Sequence, residues 1–114
     1  MEKIYQQALL YDFYGELLTE HQRSIYEDAV CNDLSLGEIA QERGISRQGV
    51  HDLIRRCDRI LQEYEAKLHL VEKFVNARES VEKIIALTEE ETEASQPERL
   101  QEIHFLAMQL RNEL

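Results

Sequence analysis

Apolar residues recur at intervals of three and four along most of this chain. That spacing places them on one face of an α-helix, and one Pro and four Gly leave almost nothing to build hairpins. The pattern predicts a helix near Glu2 to Tyr14, stopped around Gly15, then helices over Glu20 to Cys31 and Leu36 to Arg43, and a longer one from Arg47. From Val50 the apolar positions run Val50, Ile54, Cys57, Leu61, Tyr64, Leu68, Val71 and Val75, a seam of alternating four- and three-residue steps. No Pro or Gly interrupts Val50 to Gln96, so this helix can run on, with a break near His69 or Asn76 as the alternative. Pro97 sits in the first turn of a last helix, with Leu100, Ile103, Ala107, Leu110 and Leu114 on its apolar face.

Hydroxyl residues punctuate these helices. Thr19 with Gln22, Ser35 with Glu38, and Ser95 with Glu98 each have the spacing of a capping box, in which the hydroxyl accepts from the N3 amide and the N3 side chain reaches back. Leu34 and Ile39 add a hydrophobic staple at Ser35. Ser46 lacks the returning acid but has Ile45 and Val50 in the same staple positions, directly after Gly44. One helix therefore ends at Gly44 and another starts at Arg47. The acidic run Thr88 to Ser95 has no large apolar residue and reads as a solvated connection.

Leu36 to Arg55, LGEIAQERGISRQGVHDLIR, carries what two closely crossing helices need. Ala40 is small at the crossing, and Gly44 can take the positive φ of a tight turn. Ile39, Ile45, Val50 and Leu53 are expected to face a shared core covered by Ile25 and Ala29. At about 100° per residue, Gln48, Arg55 and Arg59 lie opposite the Val50, Ile54, Cys57 stripe, flanked by His51 and Arg56.

Composition bounds the function. With 114 residues, one Pro and four Gly, the chain suits one compact all-α domain, divided into residues 1–66, which hold the first helix and the helix-turn-helix, and a helical extension over residues 67–114. The extension is expected to serve dimerisation, with intramolecular bundle packing as the plainer reading of Leu61 to Val75. The net charge of −10 opposes contact with nucleic acid, yet its distribution is uneven. Residues 1–42 carry −7, residues 43–59 carry +3 and residues 60–114 carry −6. A single basic element on an acidic body can still hold an anion.

Other chemistries find little support. Cys31 and Cys57 show no close pairing, which fits a reducing cytoplasm. His21, His51, His69 and His104 lack ligand spacing, so no metal or other cofactor is expected. There is no HExxH, CxxC, GxxxxGK, GxSxG or GxGxxG, and Glu89, Glu90 and Glu91 lie in the acidic run rather than a pocket, so the chain does not read as an enzyme. No run of about 18 apolar residues exists, and the N-terminus lacks the basic head and apolar stretch of a signal peptide. Tyr5, Tyr11, Phe13 and Tyr14, at helical spacing, read as packing rather than base-stacking residues.

The opening at Leu18, Thr19, Gln22 and Ile25, followed by EIAQERGISRQGV, resembles region 4 of bacterial sigma factors. Over its full length the chain resembles the YlxM-like family of small bacterial proteins. The resemblance implies a sigma region 4-like helix-turn-helix bundle with long C-terminal amphipathic helices, and a DNA-binding regulator acting in the signal recognition particle pathway. On it, Ile39, Ala40, Gly44, Ile45, Val50 and Leu53 are scaffold positions, while Ser46, Arg47, Gln48, His51 and Arg55 fall where a recognition helix faces double-stranded DNA. Arg56 and Arg59 suit phosphates. Two positions depart from the pattern: Arg43 stands where an aliphatic residue precedes the turn glycine, and Asp52 puts a negative charge on the groove-facing side. Three other readings remain. One is a solvated face in which Asp52 pairs with Arg55 and Arg56. Another is an adaptor that contacts protein or RNA of the signal recognition particle. The third is a structural coiled-coil partner in which the helix-turn-helix is silent.

Overall fold

The computed structural model describes residues 2–89 and 96–113. Among them there is no strand; the elements are α1 (Lys3–Tyr14), a 3-10 turn (Gly15–Leu17), α2 (Glu20–Val30), α3 (Leu36–Arg43), α4 (Arg47–Leu68), α5 (Leu70–Leu87) and α6 (Gln96–Glu113). Two compact units divide the chain, Met1–Val71 and Glu72–Leu114.

In the first unit the helix starts follow the local chemistry. Thr19 and Ser35 each form both halves of a capping box, with Gln22 and Glu38 respectively. The Ser46 hydroxyl accepts from the Gly49 amide at 2.9 Å, satisfying one of the free N–H groups at the head of α4. Helix α2 stops at Val30, one residue short of Cys31, whose amide still bonds to the Glu27 carbonyl. Gly15 has an ordinary helical φ; what it supplies is space, since a Cβ there would stand 2.9 Å from the Tyr11 ring.

Two apolar clusters hold α1, α2 and α3 onto α4. Ile25, Ile39, Ala40 and Val50 form one, lined by Ala29, Leu34, Leu36, Leu53 and Ile54. Leu10, Tyr14, Leu18, Tyr26, Cys57 and Leu61 form the other. Tyr14 stacks on Tyr64 at 6.1 Å and Tyr11 tilts against Tyr26 at 5.9 Å, while Tyr5 and Phe13 are exposed. Ile45 is not in the core: the residue is 36% exposed, and it contributes its backbone, donating to the Ala40 carbonyl at 3.1 Å. The left-handed Gly44, φ +68°, reverses the chain so sharply that this closure falls to main-chain groups.

The seam from Val50 onward is split. Leu61 is fully buried and Tyr64 partly buried inside the first unit. Helix α4 ends at Leu68, and His69 takes the left-handed conformation, φ +57°. Polar side chains from α1 and α4 receive the freed amides: the Tyr14 hydroxyl accepts from Leu70 N at 3.1 Å, and Glu65 Oε1 accepts from Val71 N at 3.0 Å. Tyr14 in turn donates to Glu65.

In the second unit the covered face of α6 keeps Ile103 and Leu110 of the stripe that sequence spacing indicates but centres on Leu106. Leu106 is buried with Ile103 and Leu110 half-buried, whereas Leu100 is 67% exposed and Ala107 faces solvent. Either set steps by three and four, so spacing alone does not choose between them. On the α5 residues of this unit, Phe74, Val81 and Ile85 are exposed. The Ser95 cap, most of the acidic run and Leu114 lie outside the described residues.

Candidate nucleic-acid interface

Helix α4 owes its orientation to polar contacts as well as the core. Asp58, half-buried on the side of α4 turned toward α1 and α2, accepts from the Tyr26 hydroxyl at 2.6 Å and from the Gln7 amide at 3.0 and 3.1 Å. Burial first, and then the bond to Asp58, push the Tyr26 phenol well above its ordinary range. Tyr26 is fully buried, so this acid acts as an internal anchor. Sequence spacing alone passes over it, because an Asp between Cys57 and Arg59 reads as surface.

A second clasp joins α3 to α2. Arg43 donates to Ser24 Oγ and to Asp28 Oδ2, both at 2.7 Å. The Arg43 bond holds the Asp28 carboxyl below its usual range, outweighing the desolvation that raises it. An arginine can thus occupy the position before the turn glycine, its charge spent within the fold.

The outer face of α4 has the opposite character. Ser46, Arg47, Gln48, His51, Arg55, Arg56 and Arg59 are all exposed, and Val50, Cys57 and Leu61 on the reverse side are fully buried. Asp52, Arg55, Arg56 and Arg59 line one shallow open depression. No salt bridge within 4.0 Å engages Arg55, Arg56 or Arg59 among the described residues. Asp52 does not pair with Arg55 or Arg56. It accepts instead from the Gln48 amide at 2.9 Å, and His51 Nδ1 stands 3.8 Å from the same oxygen. The i, i+4 spacing of Gln48 and Asp52 is the signal that could have disclosed that bond.

The positive charges of this face are carried on a rigid, capped helix whose apolar back is locked in the core. Such a face presents forked N–H donors to anionic oxygens or to base edges. On other surfaces acids dominate. Tyr11, Asp12, Gly15, Glu16, Arg23 and Glu27 line one open depression, and Glu20, Arg23, Ser24, Glu27, Asp28 and Asn32 line another. No group of His, Cys, Asp and Glu among the described residues is arranged to hold a metal ion. No described helix is long and apolar enough to cross a membrane.

Residues 1–103 match the model of the family UPF0122, described as "Putative helix-turn-helix protein, YlxM / p13 like". The chain is 52% identical over 77 residues to a UPF0122 protein of Caldanaerobacter subterraneus, a stretch covering 68% of this chain and 66% of that relative, just under two thirds of its length. It is 41% identical over 101 residues to one from Desulforamulus reducens, covering 89% and 86% of the two chains. Against a UPF0122 protein of Bacillus cereus the identity is 46% over 91 residues, covering 80% and 83%.

Proposed function

We propose, from the premise that this chain belongs to the UPF0122 family of YlxM / p13-like helix-turn-helix proteins, that it is a DNA-binding regulator which lays the outer face of α4 in a major groove. The observation that carries this reading is the set of exposed arginines, Arg55, Arg56 and Arg59, that form no salt bridge among the described residues although the molecule carries a net charge of −10. Ser46 and Arg47 sit at the α4 N-terminus, where free amides and a guanidinium hold backbone phosphate. Gln48 and His51 meet base edges, Arg55 reaches a guanine or a phosphate, and Arg56 and Arg59 bind phosphates. The acidic remainder repels nonspecific contacts, so affinity is modest and falls steeply with salt.

Residues 67–114 act as the dimerisation extension, supported by the exposed Phe74, Val81 and Ile85 of α5. Two copies present two recognition helices to successive turns of one groove. The protein works in the cytoplasm, needs no cofactor and carries out no catalysis, in keeping with a family described by its helix-turn-helix rather than by a reaction. Its place in the signal recognition particle pathway rests on the family resemblance.

The test is retention of the full chain on heparin and on duplex DNA across a salt gradient. The native chain is expected to bind and to elute as salt rises, and the double variant R55A/R59A to lose binding with an unchanged melting temperature. No retention of the native chain at low salt, or unchanged binding by the variant, overturns the reading. The acidic depressions beside α1 and α2 favour a second reading, an adaptor that engages a basic protein surface of the signal recognition particle. Capture of such a partner by R55A/R59A as well as by the native chain, insensitive to nuclease, would support it.

A further inference from the structure

We infer that Asp52 is a positioning residue for recognition: it orients Gln48 toward the bases and penalises every docking register in which α4 faces backbone phosphate. The inference rests on the DNA-binding reading above. Between Arg47 and Arg59 the acids are Asp52 and Asp58, and Asp58 is turned inward to Tyr26 and Gln7. Asp52 is therefore the one acid on the outward side of this segment, its side chain 65% exposed, in the depression that Arg55, Arg56 and Arg59 also line.

Two consequences follow from its chemistry. A carboxylate only accepts hydrogen bonds, so the end of Gln48 that meets it at 2.9 Å has to be the NH2 group. His51 Nδ1, at 3.8 Å from the same oxygen, is too far to compete as a donor. With one N–H engaged and the amide no longer free to turn over, Gln48 offers its second N–H and its carbonyl oxygen side by side. That donor and acceptor pair matches N7 and N6 of adenine in the major groove. The second consequence is electrostatic. When the helix rests against backbone phosphate, Asp52 adds repulsion that the neighbouring arginines have to overcome. When α4 is seated with Asp52 over base-edge amines, the repulsion is relieved. The residue lowers affinity for random sequence and sharpens the choice among sequences.

The experiment selects binding sequences from a randomised duplex library with the full-length native chain, then measures the native chain, D52A, D52N, Q48A and Q48A/D52A on the selected duplex, on its single-base variants and on random duplex. D52A is expected to bind random duplex several-fold tighter and to lose about tenfold of the discrimination at one base pair, the magnitude of a single bidentate contact. Q48A loses discrimination at that same base pair, and Q48A/D52A discriminates no less there than Q48A does. D52N keeps an acceptor oxygen for Gln48, so it retains the base preference while gaining affinity for random duplex. A purely structural role for Asp52 would leave the base preference unmoved, and melting curves confirm that all variants fold. If the native chain selects a sequence and D52A reads it with undiminished preference, the inference is wrong while DNA binding stands. If the native chain selects nothing, both fall together.

Discussion

Removing the Tyr26 hydroxyl tests whether the acid beneath α4 anchors the helix. In Tyr26→Phe the ring keeps its fully buried packing, and Asp58 loses its 2.6 Å partner while keeping the Gln7 amide. A hydrogen bond to a charged group contributes about 1.5–3 kcal/mol, and Asp58 is only half-buried, so water recovers part of the loss. The expected cost is about 1.5 kcal/mol. Asp58→Ala should cost more, about 3 kcal/mol, because it strands a fully buried hydroxyl and frees Gln7 as well. In the double variant the stranded hydroxyl is gone, so a double-mutant cycle in urea should return a coupling of about 1.5 kcal/mol. By heat, Tyr26→Phe should melt roughly 5–10 °C lower for a unit of this size. Alkaline titration gives an independent reading with its own sign. Because the folded-state pKa of Tyr26 is raised, its contribution is fully present below the ordinary tyrosine pKa of about 10 and is lost as pH climbs above it. Tyr26→Phe should flatten that alkaline loss. A coupling below about 0.5 kcal/mol, or an alkaline limb identical in the variant, would refute the anchor.

Further expectations concern the turn, the α2–α3 clasp and the thiols. Gly44→Ala should destabilise by about 1–2 kcal/mol in urea unfolding, wholly from the left-handed backbone, since a Cβ there meets nothing within 4 Å. Arg43→Ala should cost about 1 kcal/mol near neutral pH. The Asp28 carboxyl is lowered in the folded state, so this stabilisation is present above its ordinary pKa and fades as pH falls through the folded value; the gap between native chain and variant should therefore close in acid. Of the two cysteines, the exposed Cys31 should react with a thiol reagent in the folded chain, slowed by desolvation and by Glu27 and Asp12, which raise its thiol pKa. Cys57, buried and with its thiol pushed up to about 11 by desolvation, should react only on unfolding, and equal rates for both would contradict the packing of α4.

Helix starts, the turn at Gly44 and the two faces of α4 were legible along the chain, because each depends on neighbours within about one or two helical turns. Thr19, Ser35 and Ser46 cap their helices because a hydroxyl and the amide it serves lie three residues apart. Gly44 turns the chain because its own φ permits it. The two faces of α4 separate because their periodicity is that of the helix, so the exposed positions of Gln48, Arg55 and Arg59 could be read from spacing. The tertiary structure decided matters in which partners stand far apart along the chain, or in which two local solutions are equally good. Asp58 became an anchor only when Tyr26 and Gln7 reached it, and Arg43 spent its charge on Ser24 and Asp28 of another helix. The long seam broke at His69 where Tyr14 and Glu65 were in place to receive the amides of Leu70 and Val71. On α6 the covered face took in Leu106 beside Ile103 and Leu110 and left Leu100 and Ala107 outside, although either choice satisfies the same period. A helix period says which residues share a face, and only packing selects the face that is covered.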